Sequence, residues 1–367
     1  MSTARKRQPD LLILFCVMAL LSIGIVMVYS SSAIRCLENY NDSYYFLKRQ
    51  VIWALIGLVA MLAASKFDYW HYRKLAPLGL AVCFVLLVLV VLPGVGRLSH
   101  GARRSIGFGT VGFNPSEFAK LALVIFFAVD LARRKDKVQK LVTGLGPYLA
   151  LLGAACFLIM LQPDLGTAVS LAGTLGLMII AAGARTSQIL LIAAAGVPAL
   201  IYFIFNEEYR RRRFLAFIDP WADPGGAGYH IIQALYALGS GGLFGVGLGR
   251  GRQKFLYLPE AHTDFIFAIT GEELGFIGCT AIIALFFFLA WRGYRVAINA
   301  PDATACLLAT GLTSMITVQA LINIGVVTAS LPITGIPLPF ISYGGSSLLF
   351  LMTSIGILLN VSKYCQE

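Results

Sequence analysis

The residues of this chain that could do chemistry are a few acids and bases placed beside long apolar runs. In "LYLPEAHTDFIFAITGEELGF", residues 256–276, Asp264 directly precedes Phe265 and a hydrophobic segment. A carboxylate in partly desolvated surroundings has a raised pKa, which suits a general base near neutral pH. The structural alternative is that Asp264 is the N-cap of the following helix. Glu260 would share a helical face with Asp264, and Glu260 and His262 are candidates for contacts with a substrate.

A second acid–base pair lies at the start of another apolar segment, "NPSEFAKLALVIFF", residues 114–127. Glu117 and Lys120 would share one helical face and can pair there, which lowers the cost of burying either residue. Ionisable residues within a membrane are rare and often functional, but a pair that only locks two helices together fits equally well. Asp164, in "LQPDLGTAV", is predicted to be the N-cap of the helix that follows it.

The elements that must position these residues are transmembrane helices. Of the 367 residues, 58% are hydrophobic and 13% are charged, whereas soluble domains carry about a quarter of charged residues. Apolar blocks long enough to cross a hydrocarbon layer of ~30 Å recur along the chain. We therefore predict an all-α polytopic membrane protein with a single integral membrane domain, residues 1–367. Its ten helices are predicted at about residues 11–30, 47–65, 75–92, 115–132, 146–161, 165–184, 187–206, 265–291, 303–327 and 342–362.

The basic residues predict the orientation of these helices. The first apolar run follows residues 5–7, "RKR", as in a signal peptide, but it is long enough to span and lacks a clear cleavage site, so we expect a retained helix. Long loops contribute little to the positive-inside rule. When segment 207–263 is discounted, lysine and arginine predominate in the segments that would lie inside. This distribution predicts cytoplasmic N- and C-termini and a long extracellular loop, 207–263, between the seventh and eighth helices.

Arginines also remain in the predicted outer loops, where membrane insertion does not require them. Arg103 and Arg104 follow the third helix, and Arg250 and Arg252 belong to the stretch "GVGLGRGRQ". Lipid headgroups would explain these cations, and so would an anionic ligand such as a phosphate or pyrophosphate. The glycines would let backbone amides approach an oxyanion and form an anion nest. In the same loop, the amphipathic stretch 229–238 predicts a helix at the membrane interface.

Prolines and glycines interrupt the last apolar region, "LPITGIPLPFISYGGSSLL", residues 331–349. Irregular backbone at membrane depth is tolerated only where protein or a water-filled cavity satisfies its polar groups. The interruption therefore serves either helix packing alone or a substrate cavity. In the second case Ser342 and Ser346 are candidate substrate-binding residues.

Four of these stretches together resemble the signatures of one family. In order along the chain, "GARRSIGFGTVGFNPSEFAKLAL", "LQPDLGTAVS", "YLPEAHTDFIFAITGEELGFIG" and "LPITGIPLPFISYGGSSLL" are similar to motifs of the SEDS family (shape, elongation, division and sporulation), whose members include FtsW, RodA and SpoVE. "GIPLPFISYGGSS" is more similar to the division and sporulation branch than to the elongation branch. One departure is Ser105, which stands where the family usually has a tryptophan.

The resemblance implies a peptidoglycan glycosyltransferase that polymerises lipid II at the outer face of the bacterial plasma membrane. The reaction would join the 4-hydroxyl of one lipid-linked disaccharide to the anomeric carbon of a growing chain and release undecaprenyl pyrophosphate. Carried over by motif, Asp264 is the residue that polymerisation needs, and Glu117, Lys120 and Asp164 fall on further motif positions. The outer arginines would stabilise the leaving pyrophosphate, with or without a divalent cation such as Mg²⁺ or Mn²⁺. The implied partners are lipid II, a class B penicillin-binding protein acting as transpeptidase, and other divisome, elongasome or sporulation proteins, without nucleic acid.

A lipid II flippase is the main alternative, because a charge-bearing helix bundle with broken segments also fits a transporter. The clustering of the charged motifs near one face favours the enzyme. A scaffold for division proteins is a third interpretation, but it gives Glu117, Lys120 and Asp264 no role.

Overall fold

Helices dominate the computed structural model, which describes residues 8–99, 102–108, 111–134, 137–255 and 257–365. Two helices lie within the predicted outer loop, α8 (Glu208–Ile218) and α9 (Tyr229–Gly241). The other α-helices overlap the predicted segments, and α1 and α10 extend beyond the predicted ends at residues 30 and 291: α1 (Leu11–Tyr40), α2 (Tyr45–Lys66), α3 (Tyr72–Val91), α4 (Pro115–Arg133), α5 (Gly146–Met160), α6 (Leu165–Ala181), α7 (Thr186–Phe205), α10 (Ile266–Ile298), α11 (Ala303–Val327) and α12 (Gly345–Ser362).

Eight helical segments among the described residues are long and apolar enough to cross a membrane. They comprise α1, α2, α7, α10, α11 and α12, together with Tyr69–Val91 and Leu141–Met160, which extend α3 and α5. Of the remaining predicted spans, α6 is apolar but shorter, and α4 carries several charged residues. Helices of this number and length make the chain a multi-pass membrane protein, whereas the count of ten spans stays a prediction.

A three-stranded antiparallel sheet corrects the all-α prediction. Strands β1 (Gly96–Ser99), β2 (Ala102–Phe108) and β3 (Val111–Phe113) pair in the order β1-β2-β3 between α3 and α4. The sequence predicts a loop in this region because the strands are too short for a clear alternating pattern. Pairing satisfies the backbone groups of the strands without any helix, and it makes β2 a firm support for the arginines it carries.

Short polar side chains begin several of the helices. Asp10 accepts hydrogen bonds from the amides of Leu12 and Ile13 at 3.0 and 3.3 Å at the start of α1. Asp164 accepts one from the Thr167 amide at 3.0 Å at the start of α6, which confirms the predicted cap. These bonds satisfy backbone donors that have no partner within the helix.

The central helix of the bundle is α11, which packs against α4, α6 and α10. Of the residues in its most hydrophobic 18-residue stretch, 78% are buried. Helix α7 is the opposite case, since only 11% of the residues in its most hydrophobic stretch are buried. Its buried residues are Gln188 and Ile204. The predicted amphipathic helix at 229–238 is present as α9, and its apolar residues pack against α10.

Candidate active site

A cavity of ≈ 580 Å³ opens around Asp264, a size typical of ligand pockets. Its walls come from β2, α8, α9, the turns that precede α10, and the irregular segment between α11 and α12. The charged members of the wall are two acids and two arginines, and the other members are polar or small. The lining residues are Arg104, Ser105, Tyr209, Arg213, His230, Pro259, Glu260, Thr263, Asp264, Thr334 and Gly335.

Asp264 is not the cap of α10. The cap position is Phe265, and no side chain caps this helix. Residues 257–265 form turns rather than helix, so Glu260 and Asp264 do not share a helical face, although both line the cavity. The N-cap interpretation is therefore wrong, and the Asp264 carboxylate faces the cavity with part of its surface exposed.

The backbone of Asp264 is held by a side chain of the central helix. Asn323 of α11 donates through Nδ2 to the carbonyl oxygens of Asp264 at 2.8 Å and Ile336 at 2.7 Å. Ser342 donates through Oγ to the Thr263 carbonyl at 2.5 Å and accepts from the Leu338 amide at 2.8 Å. These bonds join the turn that carries Asp264 to the irregular segment 328–344 and to α11. Ser342 therefore positions the backbone of the site and is buried away from the cavity.

A glycine lets the irregular segment lie close to the carboxylate. Gly335 has a φ of +75°, and a Cβ at this position would lie 3.5 Å from Oδ2 of Asp264. Residues with a side chain rarely adopt this backbone conformation. The glycine in "TGIP" therefore shapes the wall of the cavity beside Asp264.

The environment of Asp264 raises its pKa from 3.8 to about 7. The largest cause is burial, which disfavours the charged form, and the nearby acids Glu260 and Asp164 act in the same direction. Arg213 and Arg104 oppose the rise. A carboxylate with such a pKa can accept a proton and release it again near neutral pH.

The two arginines of the cavity are held by different parts of the protein. Arg104 donates through Nε to the Gln162 carbonyl at 3.0 Å and through Nη2 to the Pro163 carbonyl at 2.6 Å. Arg213 lies over the ring of Tyr209 at 4.2 Å. Burial lowers the pKa of Arg213, with a further contribution from Arg104. The pair forms a fixed cationic wall that suits an anionic ligand such as a phosphate group.

Glu260 is the second acid of the cavity. Its backbone has a φ of +52°, which is unusual for a residue other than glycine. Its Oε1 lies 3.5 Å from Nη2 of Arg35, and its Oε2 accepts from the Thr263 hydroxyl at 3.1 Å. The negative charge of Glu260 is one cause of the raised pKa of Asp264, after burial.

His230 is the imidazole that lines the cavity, whereas His262 is packed elsewhere. Burial lowers the pKa of His230, and Arg213 adds to the effect. His262 is 5% exposed and stacks on Phe46 with the ring centroids 4.5 Å apart. Burial lowers the pKa of His262 to about 4, so this side chain is neutral at pH 7. Packing accounts for His262 better than substrate contact does.

The predicted pair at the start of α4 is present and buried. Lys120 Nζ lies 2.9 Å from Glu117 Oε1 and donates to Gln319 Oε1 of α11 at 2.8 Å. Gln319 in turn donates to the carbonyl of Pro337 at 3.0 Å. Ser347 donates to Glu117 Oε2 at 3.1 Å. The pair thus supports the irregular segment behind the cavity and is not part of its wall.

Three further candidates lie away from the described cavity wall. Ser346 accepts a hydrogen bond from the Asn114 amide at 3.3 Å at the start of α4. The side chains of Arg250 and Arg252 are exposed, and neither belongs to the cavity lining. The side chain of Arg103 lies outside the described residues, and its backbone belongs to β2.

The glycine-rich stretch does bind an anion, but the anion belongs to the protein. Glu272 accepts from the amides of Arg252 at 2.6 Å and Gln253 at 3.2 Å. Glu273 accepts from the Gly249 amide at 3.0 Å and pairs with Lys254 at 2.8 Å. The predicted nest of amides therefore fixes the upper part of α10, directly below Asp264.

Tight contact explains the glycines of this stretch. A Cβ at Gly245 would lie 2.1 Å from the carbonyl oxygen of Glu273, and its φ is +80°. Gly275, with a φ of +67°, bends α10 against the same stretch, where a Cβ would lie 2.2 Å from the Gly245 amide nitrogen. Both positions require the missing side chain.

Eight lining residues were not among the predicted site residues: Ser105, Tyr209, Arg213, His230, Pro259, Thr263, Thr334 and Gly335. The run "RRRR" at 210–213 signalled a basic surface, but only the turn of α8 decides which arginine faces the cavity. His230 had a weaker signal, since it lies on the amphipathic stretch 229–238.

A divalent cation would find two carboxylates here. Among the described residues no group of three or more histidine, cysteine, aspartate or glutamate side chains is arranged to hold a metal. Glu260 and Asp264 line one cavity, and Mg²⁺ commonly uses one or two carboxylates together with waters and phosphate oxygens of the substrate. The residues therefore fit a cation that arrives with its substrate better than a permanently bound one.

Comparison with known proteins supports the resemblance found in the motifs. Residues 10–367 match the model of the FTSW_RODA_SPOVE family, described as a cell cycle protein. The chain is 48% identical to stage V sporulation protein E of Bacillus subtilis, over 99% of each chain. It is 46% identical to a probable peptidoglycan glycosyltransferase FtsW of Geobacter metallireducens, over 96% of this chain and 94% of that protein.

Solved structures agree with the sequence relatives. A chain from a peptidoglycan synthase complex, in work on the structural coordination of polymerization and crosslinking, matches with a TM-score of 0.78 and 27% identity over 96% of this chain and 97% of that one. The rod shape determining protein RodA of Thermus thermophilus matches with a TM-score of 0.73 and 26% identity over 98% of both chains. The chain therefore belongs to the FtsW/RodA/SpoVE family of cell cycle proteins, the SEDS family that its motifs resemble.

Proposed function

We propose that this protein is a peptidoglycan glycosyltransferase that polymerises lipid II, with Asp264 as general base. The observation that carries the proposal is a single cavity in which a carboxylate with a pKa of about 7 faces two arginines. Glycosyl transfer from a lipid pyrophosphate needs this combination, because one group must take a proton and another must stabilise a departing anion. The names of the relatives, a probable peptidoglycan glycosyltransferase among them, support the same reaction.

The proposed step exchanges one bond for another. The 4-hydroxyl oxygen of the acceptor sugar attacks the anomeric carbon of the donor, and its proton passes to the Asp264 carboxylate. The bond between that carbon and the phosphate oxygen breaks, and the electron pair leaves with undecaprenyl pyrophosphate. Arg104 and Arg213 stabilise this leaving group. A divalent cation that arrives with the pyrophosphate and is held beside Glu260 would add charge stabilisation there.

The location of the cavity fits a substrate that is half lipid. Asp264 precedes α10, Asp164 precedes α6, and Arg104 is carried by the sheet, so the charged groups lie at one end of the helices. In the proposed topology α4 and α6 complete ten spans, both termini are cytoplasmic, and this end faces outward from the bacterial plasma membrane. The isoprenoid tail then stays in the bilayer while the sugars reach the cavity.

The proposed partner is a class B penicillin-binding protein that crosslinks the new glycan. A related chain is part of a peptidoglycan synthase complex, and the sporulation and FtsW relatives favour division or sporulation over elongation. A lipid II flippase is the alternative activity. Charged groups gathered at one end of the bundle support an enzyme, since a flippase must handle the headgroup at both faces in turn.

The test is glycan synthesis by the purified protein in detergent, where no bilayer remains for a flippase to act across. The wild type, with and without a cognate transpeptidase and with varied Mg²⁺ or Mn²⁺, should polymerise lipid II. Asp264→Asn should abolish polymer while keeping the fold and the partner. Asp42→Asn is the matched control, because Asp42 forms an ion pair with Lys48 in the turn between α1 and α2. Normal glycan lengths from Asp264→Asn would refute the proposed base.

A further inference from the structure

A second, apolar pocket adjoins the cavity around Asp264. The two spaces share four lining residues, Arg104, Tyr209, Arg213 and Thr334. Beyond these residues the walls become largely hydrophobic. The walls of the second pocket are completed by Pro163, Leu165, Ile204, Arg210, Phe214, Pro332 and Ile333. The acids, the two arginines and the apolar residues therefore lie in this order along two adjoining spaces, which together are called the path.

The apolar pocket lies at the ends of two apolar helices, one of them long enough to span a membrane. Ile204 is the second-last residue of α7, an apolar helix long enough to span the membrane, and Leu165 is the first residue of α6. Arg210 points its guanidinium back to the Phe203 carbonyl at 3.2 Å, which leaves the middle of the pocket apolar. The pocket has a volume of ≈ 60 Å³, which limits it to a small apolar group such as one isoprene unit.

The order of groups along this path matches one end of a lipid-linked sugar. From the bilayer outward such a molecule presents isoprene, pyrophosphate and then the anomeric carbon. The path presents an apolar pocket, two arginines and then Asp264. A pyrophosphate between the arginines would bring its own anomeric carbon beside the base.

The order also distinguishes donor from acceptor. In the donor, the bond that breaks joins the anomeric carbon to the pyrophosphate, so the pyrophosphate must lie at the reacting centre. In the acceptor, the reacting 4-hydroxyl belongs to the far sugar of the disaccharide, so its pyrophosphate lies a disaccharide length away. Arginines that line the same cavity as Asp264 can therefore serve the donor pyrophosphate and not that of the acceptor.

We infer that the pocket formed by Leu165, Ile204, Phe214 and Ile333 binds the first isoprene unit of the donor, with the donor pyrophosphate between Arg104 and Arg213. The inference rests on the proposed function and adds which of the two substrates occupies this path. The acceptor lipid enters by another route, and its isoprenoid chain does not contact this pocket.

The test separates the two substrates chemically. A lipid II analogue with a methylated 4-hydroxyl can act only as donor, and an analogue with a methylene in place of the bridging anomeric oxygen can act only as acceptor. Each is made with a farnesyl chain and with an oligo(ethylene glycol) chain. Purified full-length protein in detergent is given one donor and one acceptor, and the single coupled product is quantified to obtain KM for each.

Wild-type protein should prefer the farnesyl donor over the ethylene glycol donor by about 10-fold or more in KM, with no such preference for the acceptor. Ile204→Trp fills the pocket from α7 and should raise KM for the farnesyl donor by about 10-fold, leaving KM for the acceptor unchanged. Ile333→Trp does the same from the opposite wall. Ile201→Trp is the matched control, because Ile201 is 50% exposed on the same helix and does not line the pocket.

Two outcomes would overturn the inference while leaving the proposed function intact. One is coupling in which the acceptor, rather than the donor, depends on its chain and on Ile204. The other is coupling in which neither substrate prefers the farnesyl chain, a result that does not need any variant to fold. Absence of coupling by the wild type with every substrate pair would instead overturn the proposed function.

Discussion

Replacing Asp264 by asparagine should make the protein more stable while it removes activity. The folded state raises the pKa of Asp264 from 3.8 to about 7. One pKa unit corresponds to about 1.4 kcal/mol, so the ionised carboxylate opposes folding by at most about 4 kcal/mol. Asp264 is partly exposed to the cavity, and solvent screening reduces this bound to an expected 1–2 kcal/mol, roughly. The variant should therefore unfold about 2–4 °C higher at pH 8.

The stability difference between the wild type and Asp264→Asn should depend on pH. Between pH 4 and 7, roughly, the folded protein holds a proton on Asp264 that the unfolded chain has lost. Stability of the wild type should therefore fall as the pH rises through this range and level off above it. Asp264→Asn lacks this group, so the two melting curves should coincide near pH 4 and separate toward pH 8.

The assay is thermal unfolding of both proteins in one detergent at pH values from 4 to 9. Asp42→Asn is a control of opposite sign, because its hydrogen bond with Lys48 lowers the pKa of Asp42, so its loss should not stabilise the protein. An Asp264→Asn protein that melts below the wild type at pH 8, or a separation independent of pH, would refute the reasoning. Such a result would mean that the carboxylate is stabilised in the fold by its arginines.

Three other variants test the surroundings of the site. Glu260→Gln removes a charge that raises the pKa of Asp264, so the midpoint of the rise in coupling rate with pH should move about one pH unit lower; an unchanged midpoint would contradict this. Lys120→Met leaves Glu117 buried without its ion pair and should destabilise the protein by about 3–5 kcal/mol in denaturant unfolding, whereas Lys120→Met with Glu117→Leu should recover most of the loss. Gly245→Ala would force a Cβ into a backbone carbonyl 2.1 Å away and should lower Tm, while the same change at the unobstructed Gly153 should leave Tm nearly unchanged.

The sequence predicted the acids of the site better than its cations. Asp264 stood out because a carboxylate beside a long apolar run needs a reason, and Asp164 because its position before an apolar helix is a typical cap. The Glu117–Lys120 pair followed from helical spacing alone. Each of these predictions used neighbours close in the chain. By contrast, Arg213 lies in a run of four arginines, and the packing of α8 decides which of the four lines the cavity.

Long-range contacts explain the other differences. The glycine-rich stretch was predicted to lie near an anionic ligand, whereas its amides bind Glu272 and Glu273 of the same chain, which lie about 20 residues away. No sequence pattern indicated the role of Asn323, because its hydrogen-bond partners Asp264 and Ile336 lie 59 and 13 residues away in the chain. The sheet carrying Arg104 was missed because its strands are only 3–7 residues long.

Because α11 is buried and α7 is not, the two sides of the cavity differ in how far neighbouring helices shield them from lipid. Asp264 is tied through Asn323 to α11, which neighbouring helices surround. Arg213 belongs to α8, which follows α7, the helix with the smallest buried share among the eight described spans. Hydrophobic mismatch tilts helices that face lipid, so bilayer thickness should alter the spacing between the base and the leaving-group cation. A thinner or thicker membrane would then change donor binding before it changes the protonation of Asp264, and lipid composition becomes a variable that acts on one substrate of the reaction.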